Sequence, residues 1–262
     1  MNYWNGKYTE TPFSEGELYG TGLFETICIV NKKAKYLLEH YERLYCGGKS
    51  LDISFEMSYE NFEKIIYDYI TRSELNDFAL RFTILKRGAG YDILINSRKT
   101  TYTRELYERG FSLKTSPLRK NPTSPLTYTK STCYADNLIS LKNAKSLGFD
   151  EALHLNFEDE VCEGAISNIF FIKDGIIKTP AVECGLLPGI MRKKVIQKLK
   201  EKNIPFQEGH YSLSEFIEAD EVFITNSLMH VMWVNAIDDK NYFKRKNTDI
   251  IASFFIENKG RD

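Results

Sequence analysis

A run of short segments occurs in a fixed order along the second half of the chain and restricts its fold more than any bulk property. Tyr128-Thr-Lys130-Ser-Thr comes first, and Glu151-Ala-Leu-His-Leu-Asn156 follows. Then come Val161-Cys162-Glu163-Gly-Ala-Ile-Ser-Asn168-Ile-Phe170, Thr179-Pro180 and Gly185-Leu-Leu-Pro-Gly189-Ile-Met-Arg192. The second segment alternates apolar and polar residues, which is the period of a strand. Lys173-Asp174-Gly175 reads as a hairpin turn between strands. The glycine-proline stretch at 185–189 opens a helix over Ile190–Lys202. A chain that alternates these elements is an α/β protein with many antiparallel pairings.

The first half carries the same mixture. Trp4-Asn5-Gly6-Lys7 suggests a hairpin turn. Leu23–Val30 is strand-like and ends in the polar turn Asn31-Lys32-Lys33. Leu37–Leu51 reads as a helix with Leu38, Tyr41, Leu44 and Tyr45 on one face, and Tyr59–Arg72 as a second helix. Phe78–Lys86 alternates as a strand, and 92–95 is a weaker strand. Between 115 and 126 three prolines fall in a short polar stretch, which is a linker signature. The expected division is therefore a small N-terminal α/β domain over 1–115, a linker at 116–126 and a larger C-terminal domain over 127–262. In that larger domain, Ala135–Leu147 should be a helix closed by Gly148. Strands are expected at 151–156, 168–173 and 221–225, with a helical turn at 215–219.

Charge and cysteine content exclude several classes. A formal net charge of −1 over 262 residues argues against a dedicated nucleic-acid surface, which is usually basic. No apolar run reaches the length of a membrane span, and the N-terminal residues lack signal-peptide character. The five cysteines, at 28, 46, 133, 162 and 184, are an odd number without metal-like spacing. They read as reduced thiols of a cytoplasmic protein, and no metal site is expected.

The chemistry lies in Lys130 and Glu163. Pyridoxal phosphate needs a lysine to form its Schiff base, an acid to keep its ring nitrogen protonated, and a donor-rich pocket for its phosphate. Lys130 is the candidate for the first role and, once a substrate amine has displaced it, for general base and acid. Glu163 is the candidate for the second. For the third, Gly189 permits close approach, and the N–H groups of Ile190 and Met191 at a helix start face an anion.

The order and wording of these segments resemble the class IV pyridoxal-phosphate-dependent aminotransferases over nearly the whole chain. That family contains branched-chain and D-amino acid aminotransferases and 4-amino-4-deoxychorismate lyases. Tyr19-Gly-Thr-Gly-Leu-Phe24-Glu-Thr26, Leu38-Glu-His40-Tyr-Glu-Arg43-Leu44 and Ala219-Asp-Glu-Val-Phe-Ile-Thr225-Asn226-Ser227-Leu228-Met229 carry the likeness outside the central run. The resemblance implies a fold type IV enzyme of two α/β domains with the cofactor in the cleft between them, working as a homodimer on a small amino substrate. It implies that Arg43, in the His-x-x-Arg-Leu context, is a phosphate ligand; the alternative is a surface arginine paired to Glu39 or Glu42. Asn226 and Ser227 fall at a further phosphate contact. Arg87, Phe24 and His230 are expected to touch substrate, while His40 is expected to be structural. The family's Arg-Gly-x-Gly-x-Arg motif here reads Arg87-Gly-Ala-Gly-Tyr91, without its second arginine. That absence, Met191 in place of threonine, and the 219–229 segment point to a 4-amino-4-deoxychorismate lyase serving folate synthesis. A branched-chain or D-amino acid aminotransferase is the alternative, and a non-catalytic binding protein is a third reading.

Overall fold

Two compact units emerge in the computed structural model, which describes residues 2–4, 6–9 and 13–255. The first comprises 1–100 with 129–134, and the second 101–128 with 135–262. The proline-containing stretch 116–126 thus lies inside the second unit. Thr129–Tyr134 returns to the first because it lies along the strand Gly22–Val30: Leu23 forms an antiparallel bridge with Ser131.

In the first unit, four antiparallel strands run in the order Lys33–Ala34, Gly22–Val30, Phe78–Arg87, Gly90–Arg98. The expected weak strand at 92–95 lies within the last of these. Two helices, Leu37–Ser50 and Tyr59–Arg72, contribute to the apolar core with this sheet. Ser58 caps the second helix by accepting from Asn61 N. Phe62, Ile66 and Ile70 recur at four-residue spacing, so one stripe of this helix is buried. The strands Asn2–Trp4 and Lys7–Thr9 pair with Trp4 opposite Lys7, as the hairpin reading expects; Asn5 of that turn lies outside the described residues.

The second unit has a nine-stranded mixed sheet among the described residues. Its order is Phe206–Gly209, Ile176–Pro180, Asn168–Lys173, Glu221–Asn226, His230–Ile237, Phe111–Thr115, Glu151–Leu155, Val161–Gly164, with Lys240–Asn241 added beside His230–Ile237. The turn Asp174-Gly175 has positive φ at both residues, 51° and 74°, as a two-residue hairpin requires. Glu151–Leu155 alternates in sequence, yet every residue in it is buried, because both of its faces are covered. Helix Ala135–Ser146 ends before Gly148, whose φ of 86° stops it. Val195, Ile196 and Leu199 of helix Ile190–Glu201 pack with Phe170 and Phe223, whose rings stack at 4.7 Å. The described cysteines are all free thiols. No helix among the described residues is long and apolar enough to cross a membrane.

Phe62 is fully buried and meets Phe82 edge-on at 5.0 Å. Phe62→Ala should lower unfolding stability by about 3–5 kcal/mol in a denaturant titration, since a large buried ring leaves a cavity.

Candidate active site

Backbone pairing places Lys130. Phe24 N donates to Lys130 O at 2.9 Å and Thr132 N donates to Gly22 O at 2.9 Å, so the lysine is held on both sides by the strand Gly22–Val30. Its Nζ lies 4.6 Å from the centre of the Phe24 ring and 5.4 Å from that of Tyr134. These rings meet at right angles, 5.3 Å apart, and form an apolar corner around the amine. The Arg81 guanidinium stacks on the same Phe24 ring at 3.8 Å, and burial pushes its pKa down. The structure therefore brings Lys130 and Phe24 together, and adds Arg81, which sequence reading missed. Arg81 sits in an alternating strand with no motif around it, so only the register Thr26↔Arg81 reveals its position.

Arg43 extends from helix Leu37–Ser50 to a buried partner. Its Nε donates to Glu25 Oε1 at 2.8 Å and its Nη2 to Oε2 at 2.6 Å. The pairing to Glu39 or Glu42 expected of a surface arginine is not what the structure shows. His40 Nδ1 meets Glu25 Oε2 at 2.6 Å, and its Nε2 is buried with no partner among the described residues. Burial pushes the Glu25 carboxyl up, but the Arg43 guanidinium and then His40 outweigh it and hold it at about 2. Arg87 lies away from this group at the end of its strand. It is paired with Asp92 at 2.5 Å and with Glu17 at 3.3 Å.

In the second unit, Glu163 lies on strand Val161–Gly164 opposite His154 and is 5% exposed. One carboxylate oxygen pairs with Lys120 Nζ at 2.9 Å. The other accepts from Leu187 N at 3.0 Å and from Asn168 Nδ2 at 3.4 Å. Lys120 is fixed by its own backbone bond to Leu155 O at 2.9 Å and by Asn137 at 3.2 Å. Burial first, and Lys120 second, push His154 down to about 3, so it stays neutral beside the pair. Lys120 is a second residue that sequence reading missed, because it lies in the polar proline-rich stretch that reads as a linker.

Asn168 also donates to Leu187 O at 2.8 Å. It packs so closely on Gly189 that an added Cβ there would lie 1.9 Å from its Oδ1, so only glycine fits. Gly189 begins helix Ile190–Glu201 with no side-chain cap, leaving its first N–H groups for another acceptor. Across the sheet Asn168 faces Thr225, whose buried Oγ1 has no partner among the described residues. An unbonded buried hydroxyl and an uncapped helix start are donors that suit a phosphate. Asn226, by contrast, is engaged by its own turn: its Oδ1 accepts from Leu228 N and Met229 N, both at 2.9 Å. Its amide donates to Tyr102 and Ile166 O. Ser227 is half-buried in that turn, and His230 closes it with a φ of 58°. Glu151 supports Glu163 indirectly. Buried, and pushed up to about 7 by burial against its hydrogen bonds, it accepts from Ala165 N, Ile166 N and Ser167 Oγ, which shapes the turn between Glu163 and Asn168.

The amino-transferase class IV family model matches residues 22–237. A Methanocaldococcus jannaschii protein named for branched-chain-amino-acid aminotransferase activity is 32% identical over 255 residues, covering 91% of this chain and 88% of the relative. An aminodeoxychorismate lyase of Bacillus subtilis is 27% identical over 259 residues, covering 92% of this chain and 88% of the lyase. A crystal structure from Legionella pneumophila, named for 4-amino-4-deoxychorismate lyase activity, superposes with a TM-score of 0.87 at 26% identity, covering 94% of this chain and 95% of that one.

Glu25 carries a testable pH signature. Its folded pKa of about 2 lies below the ordinary 4.5. The stability it contributes is therefore complete above 4.5 and is lost as pH falls toward 2, about 3 kcal/mol in all. Glu25→Gln should be less stable than the parent at pH 7. The difference should shrink between pH 5 and 2, read as melting temperature against pH.

Proposed function

The chain belongs to the class IV aminotransferase family and is a pyridoxal-phosphate-dependent enzyme, and on that premise we propose that it is a 4-amino-4-deoxychorismate lyase. Such an enzyme releases pyruvate and 4-aminobenzoate, the latter for folate synthesis. The observation that carries this reading is the pairing of Arg87 with Asp92 and Glu17. An aminotransferase must hold two different keto acids in turn, and a strong arginine clamp serves that need. Here the arginine of that motif is occupied by Asp92 and Glu17, and a lyase has no second keto acid to bind. The aminotransferase reading is kept as the second, because the Methanocaldococcus relative at 32% identity is named for it.

The cofactor, when bound, supplies a sink for the electrons left on the substrate when a proton is removed from the amine-bearing carbon. Lys130 Nζ, held over Phe24, takes that proton and later returns one. Glu163 would keep a proton on the ring nitrogen, with its other oxygen held by Lys120. Ile190 and Met191 N–H, Thr225 Oγ1, Arg43, Asn226 and Ser227 are the proposed phosphate contacts, Asn226 through its backbone because its side chain closes the turn. Arg81, beside Phe24, is the proposed partner of a substrate carboxylate in place of Arg87. Phe24 and His230 are proposed substrate contacts. The working form is proposed to be a homodimer in the cytoplasm.

Glu163→Gln should retain cofactor and lose about a hundredfold or more in kcat, on the order of a few kcal/mol, because an amide cannot hold the ring nitrogen protonated. Full activity in that variant would assign the role to another group. The reaction itself is decided on one preparation by two assays. We expect 4-aminobenzoate and pyruvate from aminodeoxychorismate. We expect little α-ketoglutarate-dependent turnover of L- or D-amino acids. Rapid transamination without 4-aminobenzoate would replace the lyase by the aminotransferase.

A further inference from the structure

Three metal-ligating side chains of different types meet in the second unit, apart from the groups assigned above. Glu160, Cys184 and His210 place one ligand atom each within 4.8 Å of one another. Both oxygens of Glu160 lie 2.9 Å from His210 Nδ1, and Cys184 Sγ lies 3.5 Å from the same nitrogen. A cation at the centre of the three would meet a carboxylate oxygen, a sulfur and an imidazole nitrogen together.

We propose that Glu160, Cys184 and His210 bind a zinc ion, with a solvent molecule as fourth ligand. Thiolate, imidazole and carboxylate are the donors zinc takes, and tetrahedral coordination with ordinary zinc–sulfur and zinc–nitrogen lengths sets a sulfur–nitrogen separation of about 3.5 Å. The observed separation is already 3.5 Å. The nitrogen–oxygen separation would have to open to about 3.3 Å, and His210, the exposed member of the three, can retreat that far. Its exposure also leaves the fourth position facing solvent.

The backbone holds the three ligands in place. Ala181 N donates to Gly209 O at 2.8 Å, which joins the segments of Cys184 and His210. Val161 N donates to Tyr211 O at 2.8 Å, which joins those of Glu160 and His210. Asn156 supplies the outer support that orients metal ligands: its Nδ2 donates to Glu160 Oε2 at 2.9 Å and to Cys184 O at 3.2 Å. Burial holds the Cys184 thiol protonated, up at about 11, so zinc binding forms an S–Zn bond and passes the thiol proton to solvent. Cys184 leads into the loop whose Leu187 N bonds Glu163. A bound ion would therefore brace that loop.

The test is equilibrium dialysis of the holoenzyme against zinc chloride followed by elemental analysis. The parent should retain about one zinc per chain. Cys184→Ser and His210→Ala should retain only background, whereas Cys46→Ser, which removes an exposed thiol elsewhere, should retain it. His210 is 57% exposed, so its removal leaves the fold intact, and cofactor absorbance in His210→Ala should match the parent. A cobalt-substituted parent should show a thiolate-to-cobalt charge-transfer band that Cys184→Ser lacks. No zinc above background in the parent overturns the proposal. So does equal zinc in His210→Ala and the parent, or loss of zinc in Cys46→Ser.

Discussion

One buried carboxylate organises the larger unit. Removing a carboxylate from water costs several kcal/mol unless charge and hydrogen bonds offset it. Glu163 is offset three ways, by the Lys120 ammonium, the Leu187 N–H and the Asn168 amide. Each of these constrains something else. Lys120 needs its own anchors on Leu155 and Asn137. Leu187 fixes the loop that leads to the start of helix Ile190–Glu201. Asn168 demands a glycine at 189, which lets the helix begin uncapped. The proposed acid for a ring nitrogen and the proposed donors for a phosphate are thus set by one hydrogen-bonded chain.

The smaller unit solves a parallel problem with Glu25. That carboxylate is 1% exposed and is shared by Arg43 and His40. The pair fixes the helix Leu37–Ser50 against the strand Gly22–Val30. The same strand carries Phe24 and grips the backbone of Lys130. Backbone bonds on both sides of Lys130, the proposed cofactor lysine, give it a defined position. The amine also lies over the Phe24 and Tyr134 rings.

Elements embedded in dense motifs were legible in the sequence: the helix start at Gly189-Ile190-Met191 stands in such wording, and the helices over 37–50 and 59–72 follow from apolar periodicity. The same wording singles out Lys130 and Glu163 as proposed site residues. Lys120, Arg81, Thr225 and the roles of Glu25 and Glu151 were not legible. Each acts through a partner far along the chain, and strand register, which sequence patterns leave open, decides those meetings. Arg87 meets Asp92 across a hairpin and Glu17 seventy positions earlier, contacts its motif does not announce. The break expected at 116–126 illustrates the same limit. Prolines mark irregular backbone, but Lys120 within that stretch is bonded to Leu155 and belongs with the second unit.

Lys130 is the proposed carrier of the cofactor. Borohydride reduction of the holoenzyme, followed by peptide mapping, tests that most directly. One pyridoxyl group per chain on Lys130 is the predicted result. The same group on Lys120, Lys142 or Lys145, with Lys130 unmodified, would contradict it.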